Sequence, residues 1–237
     1  METAGYATLS RQSGLLNEMR IVANNIANSA TTGYRQEGLI FSEFVHSAPN
    51  QASISMTRAE VRNTSMEQGS LTQTNGTFDF AIEGDGFFML ETPRGERLTR
   101  AGSFSPNADG DLVNNDGFRV LDAGGAPVFV PGDAPDISVS RDGTISSQGR
   151  LLGQIGLFEP IDPLDMKRED GVMFATEAGT EPAQTAGMLQ GFVEGSNVNP
   201  ILQLSRMIEI QRAYELGQSF LDTEDQRIRS AVKSLIK

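Results

Sequence analysis

Asp109, Asp111, Asn114, Asn115 and Asp116 crowd five oxygen-bearing side chains into one short stretch, the density a calcium loop would need. The spacing does not fit an EF-hand. Val113 takes the third ligand position, and the glycine and closing glutamate of that motif are misplaced. Two β-turns, Asn107-Ala108-Asp109-Gly110 and Asn114-Asn115-Asp116-Gly117, account for the same residues, the second with an Asp-Gly pair suited to a two-residue hairpin. Gly84-Asp85-Gly86 begins like a dinucleotide fingerprint, but no third glycine follows and the next residues read as a strand. These glycines are expected to permit a tight bend or a close backbone approach. Ser230 and Lys233 have the S-x-x-K spacing of acylating hydrolases, yet lie on a heptad helix without the companion motifs. Asp162 and Asp165 form a carboxylate pair of the kind a glycosidase uses, but no apolar setting singles them out, and a solvated acidic face is expected. His46, after Phe44-Val45, has only Glu43 nearby as another ligand type. No catalytic, cofactor-binding or metal-binding residue is assigned, and no cofactor is expected.

The composition narrows the chemistry further. The 237 residues include no cysteine and one histidine, which removes thiolate nucleophiles, disulfides, cysteine-based zinc sites and catalytic triads built on any other histidine. A net charge of -12 repels phosphate backbones and anionic lipid, so nucleic acid is not expected as a partner. No run approaches the ~20 apolar residues of a membrane span, and direct membrane insertion is not expected. Met1-Glu2-Thr3-Ala4-Gly5-Tyr6 lacks the basic and apolar regions of a secretory signal, so any export is expected to proceed without a cleaved signal peptide.

Charge and breaker residues divide the chain. Residues 41–195 hold 23 of the 31 acidic residues against 10 of the 19 basic ones, with nine of ten prolines and 20 of 25 glycines. The two ends are left free to be helical. Leu9, Leu16, Met19, Ala23 and Ile26 follow a three-four spacing, with Gln12 in the polar slot, and predict a helix from about Thr3 to Asn28. Met207, Ile210, Tyr214, Gly217, Leu221, Glu224, Ile228, Ala231 and Leu235 form a longer seam over four heptads. Asn199 is placed to cap that helix and Pro200 to begin it. Apolar residues also lie off both seams, Leu15 and Val22 on the first helix and Leu204, Ile208, Leu216, Phe220, Val232 and Ile236 on the second. One partner helix cannot cover both stripes, which points to other copies of the chain. Between the ends, short strands are predicted at 78–82, 86–90, 112–113, 118–121, 128–130, 137–139 and 155–158, separated by turns that include Thr92-Pro93-Arg94-Gly95. The expected class is α+β: terminal helices pairing as a coiled coil around a central antiparallel β domain. The expected divisions are 1–28, an extended connector at 29–74, a β-rich domain at 75–195, and 196–237.

Three strings carry a resemblance. Ala23-Asn24-Asn25-Ile26-Ala27-Asn28 with Thr31-Thr32-Gly33-Tyr34-Arg35 resembles the N-terminal signature of the bacterial flagellar rod and hook axial proteins, Asn28 suiting a helix end and Gly33 a positive φ. The run from Leu71-Thr72-Gln73-Thr74 through Phe78–Phe88 to Leu98-Thr99-Arg100-Ala101-Gly102-Ser103-Phe104 is similar to the opening of their β domain. Gly195-Ser196-Asn197-Val198-Asn199-Pro200, Gln211-Arg212-Ala213-Tyr214-Glu215 and Thr223-Glu224-Asp225 resemble their C-terminal helix, although Asp225-Gln226-Arg227-Ile228 departs from the run common near the end of relatives.

The short chain with one modest β domain resembles proximal rod members more than distal rod or hook members, the alternatives within the family. The resemblance implies a structural, non-enzymatic subunit of the periplasm-spanning rod, assembled helically with itself and other rod proteins and delivered by the flagellar type III export gate. The assembly interface is expected at Leu9, Leu16, Met19, Ala23, Asn24, Asn25, Ile26 and Asn28, and at Met207, Ile210, Tyr214, Leu221, Ile228, Ala231 and Leu235. Phe41 and Val45, four apart in the connector, are similar to the short gate-recognition segment of early export substrates; a packed strand accounts for them equally well. The contrasting class is a secreted β-domain binding module or hydrolase whose helices merely dimerise.

Overall fold

The computed structural model describes residues 2–46, 54–132 and 134–235, with side chains from Thr8 to Ile40, from Asn63 to Gly132 and from Ala134 to Ser234. It is α+β, with a helix at each end and largely antiparallel strands between. Helix α1 spans Glu2–Ala27 and helix α2 spans Pro200–Leu235, about 39 and 54 Å long at 1.5 Å per residue. The start of α2 is fixed locally: Asn199 Oδ1 accepts from the N–H groups of Ile201 (3.1 Å) and Leu202 (3.2 Å), which have no partner within the helix. The chain divides into two compact units, a helical one of Met1–Ala27, Glu37–Asn63 and Asn199–Lys237, and a β unit of Asn28–Gln36 and Thr64–Val198. Strands Glu37–His46 and Ile54–Thr64 pair as a two-stranded sheet within the segment expected to be an extended connector with some strand.

In the β unit a nine-stranded sheet is arranged around strand Phe87–Thr92, which pairs with Gly95–Thr99 on one edge and with Arg119–Val120 and Leu157–Pro160 on the other. Phe87, Phe88, Met89 and Leu90 are all buried, because successive side chains point to opposite faces and both faces are covered. Phe88 and Leu90 pack with Phe80, Phe104, Leu112 and Val120; Phe87 and Met89 pack with Leu98, Leu121, Phe158 and Phe174. The Phe88 and Phe104 rings meet edge to face at 5.1 Å. Strand Phe80–Glu83 pairs with Gly187–Gln190, and Leu71–Gln73 with Phe192–Glu194, so the beginning and end of the unit close on each other.

Three successive turns share one construction. The N–H groups of Gly110, Gly117 and Gly125 donate to the carbonyls of Asn107, Asn114 and Asp122, and each glycine has a positive φ. The side-chain oxygens of Asn107, Asn114 and Asp122 each accept from N–H groups two and four residues on. This is a type I turn followed by a glycine bulge, one residue longer than the two-residue hairpin expected at Asn114. The expected strand at 128–130 is reduced to bridges and single bonds, such as Asp111 to Phe129 and Val128 N–H to Val120. The turns come so often that strands of two residues fill the space between them.

Candidate assembly site

The helical unit is built on α1 and α2. They run antiparallel, since Gln12 Nε2 donates to Gln218 Oε1 (3.4 Å), Glu18 pairs with Arg206 (2.6 Å) and Asn25 Nδ2 donates to Gln203 Oε1 (3.3 Å). Of the C-terminal seam, Ile210 is buried, and Met207, Tyr214, Gly217, Leu221 and Glu224 are half-buried. Beyond Glu224 every described side chain of α2 is exposed, Ile228 and Ala231 included, and the Leu235 side chain lies outside the described residues.

On α1 the phase differs from the expected stripe. Gln12, Ile21, Val22 and Asn25 are buried, Leu15, Met19 and Ile26 are half-buried, and Leu9 (58 % exposed), Leu16, Ala23 and Asn24 are exposed. The stripe Leu16-Met19-Ala23-Ile26 therefore does not lie along the α2 seam as a whole; the inward face is rotated by about one residue, bringing in Leu15 and Val22. The physical reason is that Asn25, off the expected stripe, is held inward by its bonds to Glu37 and Gln203, so the inward face is not the most apolar one. Asn28, past the helix end, accepts from the Thr31 hydroxyl at 3.2 Å. Ile201, Leu202, Leu204, Ile208, Leu216 and Phe220 are exposed along α2. A groove of about 380 Å³ runs between the helices, floored at Gly217 and bordered by Leu15, Leu216 and Phe220.

The β unit holds a buried ionic clasp that the sequence reading did not assign. Arg35, Arg100 and Glu194 are each 1 % exposed. Arg35 Nη2 lies 3.1 Å from Glu194 Oε1, and Arg100 Nη1 lies 2.9 Å from Oε2. Oε1 also accepts from Gly69 N–H at 2.9 Å. Arg35 donates to the carbonyls of Met66 (3.2 Å) and Glu67, and Arg100 to those of Ile82 (3.3 Å) and Gly84 (2.7 Å). Two cations share one carboxylate. Burial first, and the neighbouring Arg100 next, lower the Arg35 pKa to about 10 despite the opposing pull of Glu194 and Asp85. Burial lowers that of Arg100 as well.

Backbone and aromatic contacts complete the clasp. Gly33 N–H donates to Glu194 O (2.8 Å), Asn197 N–H to Tyr34 O (3.3 Å) and Gln36 N–H to Asn197 Oδ1 (2.6 Å). Arg168 lies over the rings of Tyr34 (4.2 Å) and Phe174 (4.7 Å) and donates to Arg35 O. Gly33, at φ +72°, has no room for a side chain, since a Cβ would stand 2.3 Å from Ala101 N. Arg35 and Arg100 belong to two of the strings quoted for the resemblance, and Glu194 directly precedes the third. The strings give no local signal that these charges meet, since each partner is distant in sequence.

The residues considered for chemistry hold backbone instead. Asp162 Oδ1 caps the single turn Pro163–Asp165 by accepting from Leu164 N–H. Asp165 Oδ2 accepts from Glu177 N–H (2.5 Å), Ala178 N–H (2.7 Å) and the Thr176 hydroxyl (3.2 Å), so it is a loop tie and not just part of a solvated face. Ser230 Oγ donates to Gln226 O within α2. Among the described residues no group of three or more histidines, aspartates or glutamates is placed to hold a metal ion, and no helix is long and apolar enough to cross a membrane. Phe41, Val45 and His46 fall in strand Glu37–His46, but their side chains lie outside the described residues.

Comparison with known proteins gives three family matches in chain order. Residues 6–35 match the flagella basal body rod protein model, residues 81–147 the flagellar hook protein FlgE/F/G D1 domain, and residues 189–234 the flagellar basal body rod FlgEFG protein C-terminal model. The chain is 37 % identical to the flagellar basal-body rod protein FlgF of Mesorhizobium japonicum, covering 99 % of this chain and 98 % of that protein. It is 38 % identical to FlgF of Caulobacter vibrioides, covering 100 % and 99 %. A flagellar basal-body rod protein FlgG of Buchnera aphidicola is 32 % identical over 89 % of this chain. These matches and the two terminal helices define a flagellar axial protein. The chain belongs to the FlgF-like family of flagellar basal-body rod proteins, a family of structural rod subunits.

Proposed function

We propose that this chain polymerises with itself and with other rod proteins into the periplasm-spanning shaft of the flagellum, that its helices pair as a coiled coil, and that it performs no catalysis. The single observation that carries this reading is the outward apolar face of the helix pair. Leu9 and Leu16 on α1 and Ile208, Leu216 and Phe220 on α2 are large apolar side chains left exposed in the isolated chain. Large apolar side chains exposed in this number on a helix pair mark an interaction surface. The expected interface residues then divide by role. Leu9, Leu16, Ala23, Asn24, Ile228 and Ala231 meet neighbouring subunits, whereas Asn25, Ile210, Met207, Tyr214 and Leu221 shape the pair that presents them, with Met19 and Ile26 at its margins.

Delivery through the flagellar type III gate, without a cleaved signal peptide, belongs to the same proposal, with Phe41 and Val45 as the recognised pair. Phe41→Ala is expected to reduce secretion while the purified variant still folds, and normal secretion would remove that assignment. For the interface, a photocrosslinking residue placed at Leu216 is expected to join the chain to another copy or another rod protein in isolated basal bodies. Crosslinks absent from assembled basal bodies, or saturable small-molecule turnover by the purified chain, would overturn the reading.

A further inference from the structure

We propose that Glu194 is a late-closing latch, a carboxylate supplied near the end of the β unit's sequence that draws the segment 28–36 onto the strand leading to Arg100 and so fixes the chain on both sides of the unit. Glu194 is 94 residues from Arg100 and further still from Arg35. By contrast, the turns at Asn107, Asn114 and Asp122 each close within five residues. Closing a long loop costs more conformational entropy than closing a short one, so non-local contacts form after local ones. In a chain made from its N-terminus, both arginines are present long before their counter-charge.

The chemistry of the clasp makes that order consequential. Arg35 and Arg100 are buried side by side, and Nε of each makes no hydrogen bond among the described residues. Two desolvated cations repel, and carbonyl acceptors alone do not offset the loss of water. Glu194 supplies an oxygen to each. Its own main chain pairs with Leu71 and accepts from Gly33 N–H, which holds the Gly33 turn against Ala101. One residue thus joins charge neutralisation to the docking of an N-terminal segment. The latch concerns the folding of the chain itself, and its failure would leave the rod reading intact.

The experiment is residue-resolved amide hydrogen exchange on the full chain. With Glu194→Gln, exchange at Gly33, Gly69 and Asn197 should rise at least tenfold, while Asp122 and Val128, bonded to Ala126 and Val120 within the run of local turns, keep their protection. Adding Arg35→Met should recover at least threefold of that loss, because one of the two competing cations is removed; a purely structural role for the carboxylate predicts a further loss. Pulse labelling during refolding of the unaltered chain should protect Asp122 and Val128 before Gly33, Gly69 and Asn197. Simultaneous protection, uniform change across both sets, or no change at the clasp amides would overturn the proposal. If Glu194→Gln unfolds the chain entirely, recovery of folding in the double variant supports the latch and continued unfolding overturns it.

Discussion

The side-chain amide of Asn25 grips the backbone of Glu37 at both ends: Oδ1 accepts from the Glu37 N–H at 3.0 Å, and Nδ2 donates to the Glu37 carbonyl at 2.8 Å. The same Nδ2 reaches Gln203 Oε1, so one asparagine in the last turn of α1 joins the start of strand Glu37–His46 to the first turns of α2. An aspartate keeps the shape and the acceptor but loses both donations, leaving a carboxylate oxygen against a buried carbonyl. Asn25→Asp is therefore expected to destabilise the helical unit by about 2 kcal/mol, read as a lower midpoint of helix loss in urea followed by circular dichroism.

Two glycines should respond in opposite directions to alanine. At Gly33 the positive φ and the backbone of Ala101 both oppose a side chain, so Gly33→Ala should cost about 3 kcal/mol or more. At Gly217, inside α2, the nearest atom to a new Cβ is the mobile end of Gln12 at 3.2 Å, which can move aside by a few tenths of an ångström. Gly217→Ala should then stabilise the helix by up to about 1 kcal/mol. Paired thermal melts of the two variants test the contrast.

Asp165 gives the loop at 176–178 a pH dependence. The N–H groups of Ala178 and Glu177 favour its ionised form and hold its pKa below the ordinary 3.8. A carboxylate with a depressed folded-state pKa adds stability above the unfolded value, and that stability is lost as pH falls through the folded value. The melting difference between the unaltered chain and Asp165→Asn should be present at neutral pH and shrink as the pH drops below 3.8.

Arg35 gives a slope of the same sign for the opposite reason, since burial disfavours its charged form. Its pKa of about 10 in the folded chain lies below the ordinary arginine value, so between the two the unfolded chain binds more protons and stability rises with pH. The stability difference between the unaltered chain and Arg35→Met should be flat from pH 6 to about 9. Above pH 10 it should move in favour of the unaltered chain, as read by urea titrations at each pH.

Local chemistry was legible in the sequence and long-range chemistry was not. Asn199-Pro200 announced the start of α2, and the Asx-x-x-Gly strings announced their turns, because cap and turn bonds are made within a few residues. The phase of α1 was obscured by Asn25, which is buried for its hydrogen bonds and breaks an apolar count. The Arg35–Glu194–Arg100 clasp has no local signature, since each charge finds its partner only through the pairing of strands distant in sequence. Asp165 looked like one acid among many because its three donors come from a loop on the next strands.

The central claim is that the outward apolar face of the helix pair is an assembly surface, and Leu216, 73 % exposed, tests it with the least disturbance to the fold. The measurement is the amount of the chain in basal bodies purified from cells that carry Leu216→Asp as the sole copy. A surface charge at this position should leave the melting of the purified chain within about 0.5 kcal/mol of the unaltered one. The account predicts that the variant is folded, absent from basal bodies and unable to support motility. Motile cells whose basal bodies hold the variant at the unaltered level would contradict it.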